Sequence, residues 1–325
     1  MVRYVKRGSW AALMVFVVAA FSAGAVQAQS TGGVANGFRV SPVRSELTIE
    51  KGKSSAFTMT VENPTAVATT AKAVVNDFVA SDDESGTPRL ILDDKAQAPK
   101  NSFKSIVSSI PDQELGPKEK KDITVNISIP EGANAGGYYG AVRFVPSQEA
   151  QGGNVGLTAS VGTIVLVTVP GNLTEKLDLV QMTAAQGGKA KSFITKGDVQ
   201  VITRLKNDGD IHVQPFGRVE IKNMFGKAVA SYDLNNTDPR ANILPGSTRK
   251  FEDQINYKKW FGRYTISANI GYSQGSGNIV SAQTSFWYMP AWSLYVLFGL
   301  VVVIAAAVYL LVRKFSARSR HGSKK

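Results

Sequence analysis

Residues 291–312 contain no charged side chain. As a helix, these 22 residues span roughly 33 Å at ~1.5 Å per residue, against a hydrocarbon core of ~30 Å, so the segment is long enough to cross a bilayer. Trp287, Tyr288, Trp292 and Tyr295 gather at its N-terminal end, where amphipathic rings favour the headgroup layer, and Arg313 and Lys314 follow its C-terminal end directly. The pattern predicts a single transmembrane helix over 291–312, with Trp287, Trp292, Arg313 and Lys314 marking its two interfaces. A basic cytoplasmic tail over 313–325 follows, placed against anionic lipid headgroups at ~1 kcal/mol per Lys or Arg. No LPxTG string precedes the helix, so the helix itself is expected to remain as the anchor.

The other end carries the matching export signal. Arg3, Lys6 and Arg7 precede an apolar stretch, and Val26-Gln27-Ala28 fits a signal-peptidase site, which predicts a signal peptide over 1–28 and a short linker over 29–35. The ectodomain is therefore expected outside the membrane. The formal charge of +12 follows the same division. Three basic residues lie in 1–28 and six in 313–325, with no acid in either, leaving 28 basic against 25 acidic side chains between them. The basicity belongs to the targeting ends and gives no support for nucleic-acid binding. With no cysteine and only His212 and His321, thiolate metal sites, disulfides and cysteine nucleophiles are absent and imidazole chemistry has little material.

Between the two ends the pattern is that of β-strands. Phe57, Met59 and Val61 alternate with polar residues, as do Ile123, Val125 and Ile127 before Pro130, and 163–169 is apolar on both faces until Pro170-Gly171 closes it. Val199, Val201 and Leu205, then Tyr264, Ile266, Ala268 and Ile270, repeat the period in the second half. The halves also share an order of elements. Lys51-Gly52, Asn63-Pro64, Leu115-Gly116-Pro117 and Gly137-Tyr138-Tyr139 in the first correspond to Lys196-Gly197, Asn207-Asp208-Gly209, Leu244-Pro245-Gly246 and Gly262-Arg263-Tyr264 in the second. The expected fold is all-β: two tandem immunoglobulin-like β-sandwich domains over 36–172 and 173–290, plus the C-terminal transmembrane helix.

These residues carry a family resemblance. Ser41-Pro42-Val43 with Leu47 and Ile49, Val61-Glu62-Asn63-Pro64-Thr65 and the Gly137-Tyr138-Tyr139-Gly140-Ala141-Val142 strand resemble the first domain of WxL-interacting bacterial surface proteins. Asn207, Leu244-Pro245-Gly246 and Gly262-x-Tyr264, followed by the anchor and basic tail, resemble their second domain. The resemblance implies a surface protein whose first domain binds peptidoglycan and whose second contacts a protein partner. The chain departs from that family in a short second domain without a long helical insertion.

No catalytic constellation stands out, and no cofactor is expected. His212 follows two acids in sequence, but no G-x-S-x-G elbow accompanies it. Asp82, Asp83 and Glu84 concentrate carboxylates in one turn and form a weak Ca²⁺ candidate without EF-hand spacing; a solvated hairpin tip accounts for them better. Tyr138 and Tyr139 are ligand or partner candidates, since aromatic faces stack on sugars, although alternation along a strand turns one of them inward. Gly152-Gly153-Asn154-Val155-Gly156 reads as a flexible hairpin connection beside a strand that could accept a partner strand. The expected function is that of a membrane-anchored, extracellular binding and scaffolding protein, not an enzyme, contacting peptidoglycan or another surface protein. The alternative is an assembly factor for secreted subunits that acts through an exposed sheet edge.

Overall fold

A computed structural model describes residues 37–93, 95–147, 160–272 and 277–321. Among these the chain is all-β apart from one C-terminal helix. The signal peptide, the linker and the Gly152–Gly156 connection lie outside the described residues.

The first half holds nine strands: β1 (Arg39–Ser41), β2 (Arg44–Thr48), β3 (Ser54–Glu62), β4 (Thr69–Ala80), β5 (Pro88–Leu90), β6 (Gln113–Leu115), β7 (Lys120–Ser128), β8 (Gly136–Pro146) and β9 (Val161–Val169). One sheet runs β1-β3-β7 and the other β2-β9-β8-β4-β5, with β6 pairing the start of β4. The period-two pattern decides which face is buried. On β7, Ile123, Val125 and Ile127 point into the core while Thr124, Asn126 and Ser128 point out. Phe103 and Phe144 are fully buried between the sheets, each contributing roughly 1.5–3 kcal/mol by leaving water. The N-terminal strand changes sheets at Pro42. Residues before it pair with β3, and residues after it lie parallel to β9, from Arg44 opposite Ile164 to Thr48 opposite Thr168.

The second half repeats this plan with β10 (Leu177–Gln186), β11 (Lys189–Ala190), β12 (Phe193–Ile194), β13 (Val199–Asn207), β14 (Phe216–Asn223), β15 (Ala228–Leu234), β16 (Thr248–Ile255), β17 (Gly262–Gly271) and β18 (Ile279–Tyr288). Its sheets run β11-β10-β13-β16 and β12-β18-β17-β14-β15. In both halves a sheet of the A-B-E type faces one of the A′-G-F-C type, with the A′ segment parallel to the last strand, as in immunoglobulin-like sandwiches. Each half has its own hydrophobic core, the second built around Trp260, Tyr264, Phe286 and Tyr288.

Two buried asparagines carry the internal duplication. Asn63, 1% exposed, ends β3; its Nδ2 donates to the carbonyls of Val67 (2.8 Å) and Gly116 (2.9 Å), and its Oδ1 accepts from the Thr65 N–H at 3.0 Å. Asn207, fully buried, ends β13; its Nδ2 donates to the carbonyls of Ile211 (2.7 Å) and Ile243 (2.8 Å), and its Oδ1 accepts from the Gly209 N–H at 2.9 Å. Each ties a strand end to the turn that precedes a distant strand by hydrogen bonding to backbone groups of that turn.

The helix α1 (Ala291–His321) is entered through only two residues, Met289 and Pro290, after β18. Ala291–Arg313, with mean hydropathy 2.8, is long and apolar enough to cross a membrane. The helix continues past Val312, through Arg313 and Lys314, into what the sequence suggested would be a separate tail.

Candidate functional site

The contacts between the two sandwiches gather residues that the sequence keeps far apart. The tip of the β4–β5 hairpin, residues 81–87, rests on β13 and β16. Glu84, in a left-handed conformation at φ 59°, takes the Arg204 guanidinium with both carboxylate oxygens, Nε to Oε2 at 2.8 Å and Nη2 to Oε1. Its carbonyl accepts the Lys250 N–H at 2.9 Å. The hydrogen bond to Glu84 raises the Arg204 pKa. Asp83 is exposed, and its carboxyl is held below the usual range chiefly by the Ser85 N–H, which it accepts at 3.0 Å. The acidic turn is a hairpin tip on which Asp82 and Asp83 are exposed, but Glu84 is not solvated with them: it is committed to an arginine of the second sandwich. Among the described residues no group of three potential metal-ligating side chains lies close enough to hold an ion.

The two candidate tyrosines occupy strand β8, where alternation sends them to opposite faces. Tyr138 is 4% exposed, in the core of the first sandwich, with its hydroxyl donating to the Asn134 carbonyl at 3.1 Å. Tyr139 points the other way, where the second sandwich meets it. Its ring packs edge-on against His212 at 5.6 Å and lies 6.0 Å from Phe78, and its oxygen accepts the His212 N–H at 2.8 Å. Burial raises the Tyr139 hydroxyl pKa and lowers that of the His212 imidazole. The expected division into one core ring and one surface ring is corrected to one core ring and one interface ring. Tyr138 offers no face to a sugar, and Tyr139 is partly buried against His212.

Beside this contact lies a cleft of about 200 Å³ with walls from both sandwiches, among them Arg44, Ile164 and Leu166 from the first and Asn242, Leu244 and Arg249 from the second. Arg44 contacts Glu46 (Nε to Oε1, 3.1 Å) and donates to the Arg240 carbonyl at 2.7 Å. The Glu46 carboxylate also accepts from Gln214 and Asn242, at 3.0 Å each, so its charge is shared among three donors. Arg249 differs. Its Nη1 donates to the Asn242 carbonyl at 3.0 Å and its guanidinium lies 5.6 Å from the Phe251 ring, but among the described residues no carboxylate reaches it. Burial, then the Arg44 charge, lowers its pKa, yet a guanidinium remains charged. Gly86 allows this approach: it sits at φ 74°, and a Cβ there would fall on the Arg249 guanidinium.

Strand β9 supplies Ile164 and Leu166 to the cleft. Strand β9 is covered by β2 only from Ile164 onward; ahead of that, Thr163 Oγ1 donates to the Pro42 carbonyl at 2.6 Å and the Ile164 N–H reaches the Val43 carbonyl. Among the described residues, 161–163 pair with β8 on one side and with no strand on the other. Val43, 68% exposed, flanks the gap. The arrangement offers unpaired backbone, apolar flanks and a half-buried cation, which suits recognition of an extended chain with an anionic group. Sequence reading did not single out Arg44, Arg204 or Arg249. They look like ordinary strand arginines, and only the docking of the halves groups them with the hairpin tip and the cleft.

No protein-family model matches the chain, and no curated protein does. Among solved structures, the class 5 fimbrial chaperone CfaA is similar with 11% identity and a TM-score of 0.39, over 76% of this chain and 98% of that one. The E. coli chaperone DraB is similar with 14% identity and a TM-score of 0.33, over 77% and 96%. A Porphyromonas gingivalis W83 protein of unknown function is similar with 13% identity and a TM-score of 0.27, over 77% and 99%. Likeness at this level assigns no function.

Proposed function

We propose that the chain is a membrane-tethered binding and assembly factor that holds an extended segment of a protein partner without chemistry. The partner adds as a strand beside residues 161–163 of β9, and its carboxylate enters the cleft against Arg249. The observation that carries this reading is the Arg249 guanidinium, half-buried in a cleft that Ile164 and Leu166 of β9 also line, with no carboxylate in contact among the described residues. A buried charge without a counter-ion favours an anionic ligand, because pairing recovers part of its desolvation cost. The edge supplies backbone hydrogen bonds, and Ile164 and Leu166 supply apolar contact.

Peptidoglycan binding by the first sandwich, which the family resemblance implies, has less support, since the two rings proposed for it are taken up by the core and the interface. Anchoring through α1, with the sandwiches on the exported side, belongs to the same proposal and draws on the hydropathy of Ala291–Arg313 and the basic residues after it.

The test is a crosslinking pull-down from intact cells with the full-length chain and its Arg249→Leu variant, run beside sedimentation of the detergent-solubilised protein with isolated peptidoglycan. A captured protein client that the variant loses supports the proposal. Saturable, salt-resistant co-sedimentation, together with a client pool indifferent to the variant, would overturn it in favour of wall binding.

A further inference from the structure

The second sandwich ends in an apolar collar at the end from which α1 departs. The β14–β15 turn presents Met224 and Phe225, 48% and 85% exposed; the approach to β17 presents Phe261, 51% exposed; and the last strand presents Trp287, 47% exposed. The sheet register puts them together. Asn223 pairs with Tyr264, Arg263 with Trp287 and Gly262 with Tyr288, and the Met224 methyl lies over Gly262. The collar is continuous with the helix: the Phe261 ring stacks on Trp292 at 6.1 Å and 15°, and Ser293 is buried, its N–H and hydroxyl both donating to the Pro290 carbonyl. Two residues separate β18 from α1, and the Met289 N–H is held by the Ile194 carbonyl, so this end cannot stand off from wherever the helix enters. The segments that form it, residues 191–198, 223–228, 256–263 and 285–290, carry six basic side chains and one acidic one, Asp198. Lys227, Lys258, Lys259 and Arg263 are exposed there.

We infer that this collar is a second membrane contact: Phe225, Phe261 and Trp287 enter the interfacial layer of the bilayer that α1 crosses, while the surrounding lysines and arginine meet anionic headgroups. Apolar rings rimmed by cations, fixed beside a membrane helix, fit the boundary between headgroups and acyl chains. The inference rests on α1 spanning the membrane, and it adds that the sandwich is seated on the surface and does not swing above it.

The chain has no cysteine, so single thiols can be introduced without background. Phe225→Cys, Leu300→Cys and Thr237→Cys, in the full-length chain, are labelled with an environment-sensitive nitrobenzoxadiazole and reconstituted into vesicles of phosphatidylcholine with a minority of phosphatidylglycerol. Quenching is read with nitroxide lipids labelled near the headgroup or deep in the acyl chain. Phe225 is an exposed turn residue, so its replacement leaves the core intact, and Thr237 lies at the opposite end of the same sandwich. The expected result is loss of most emission at 225 with the shallow quencher, at 300 with the deep one, and at 237 with neither. Quenching at 300 without quenching at 225, or equal quenching at 225 and 237, would overturn the collar while leaving the membrane helix standing. No quenching at 300 would overturn both.

Discussion

Replacing Glu84 with glutamine should loosen the two sandwiches from one another. The carboxylate is a quarter exposed and the Arg204 side chain a third exposed, which places the pair between a surface ion pair, worth ~0–1 kcal/mol, and a buried one. Two parallel charge-assisted hydrogen bonds in a fork geometry move it toward the upper part of that interval, with ~1.5–3 kcal/mol for a hydrogen bond to a charged group before allowance for solvent. A coupling of about 1–2 kcal/mol is expected. It is measured with a double-mutant cycle of Glu84→Gln, Arg204→Met and the pair, by urea denaturation of the full-length chain in detergent, followed by circular dichroism of the β-sheets. The backbone contact from the Glu84 carbonyl to the Lys250 N–H survives these substitutions, so the cycle isolates the side-chain pair. Added Ca²⁺ should leave the wild-type midpoint unmoved, because Glu84 is occupied. A coupling below about 0.3 kcal/mol, the range of solvated pairs, would refute the assignment of the turn as a clamp. A Ca²⁺-dependent rise in midpoint abolished by Glu84→Gln would refute it in the other direction.

Asn207→Ala removes the side-chain partner of the Ile211 carbonyl and the Gly209 N–H and one of the two donors to the Ile243 carbonyl, and should cost ~2–4 kcal/mol, against under about 1 kcal/mol for an exposed asparagine such as Asn256; equal losses in thermal melts would dispose of the tether argument. Asp253 faces Tyr232 inside the second sandwich without an aligned hydrogen bond, and burial pushes its carboxyl up to about 6. Because the folded state holds this proton more tightly than the unfolded one, the group stabilises at acid pH and that contribution is lost as pH rises from about 3.8 to about 6. Asp253→Asn should therefore stabilise the protein at pH 7 by ~1–2 kcal/mol, after allowance for partial exposure, and flatten that part of the stability profile; an unchanged profile would rule the reasoning out.

The strands that sequence reading located are those whose two faces differ in polarity. Residues 54–62, 120–128 and 262–271 alternate so regularly that their inward residues could be named in advance, and these are buried, apart from Phe57, which is partly so. Strand β4 escaped notice because Thr69-Thr70-Ala71-Lys72-Ala73 has small residues on both faces, and its central place depends on β8, some seventy residues away. The matching turns around Asn63 and Asn207 were visible as a repeated order of elements; that each asparagine tethers several backbone groups was not, because the partners come from separate loops. The candidate site was the least legible part. Tyr138 and Tyr139 could be split by alternation, but the second sandwich covering Tyr139 leaves no local trace in the sequence. Arg249 lies in a largely polar strand, and nothing nearby marks it as a residue that the docking of the second sandwich carries into the cleft.

The two cores are separate, and the contacts between them are largely polar, through Glu84 and Arg204, Glu46 and Gln214, and Tyr139 and His212. Chains are made from the N-terminus and domains fold as units, so the first sandwich can close while the second is still being made. The cleft has walls from both, and Arg249 belongs to the later one. The cleft is therefore the last feature the molecule acquires, present only in copies that have been made in full and have closed both halves.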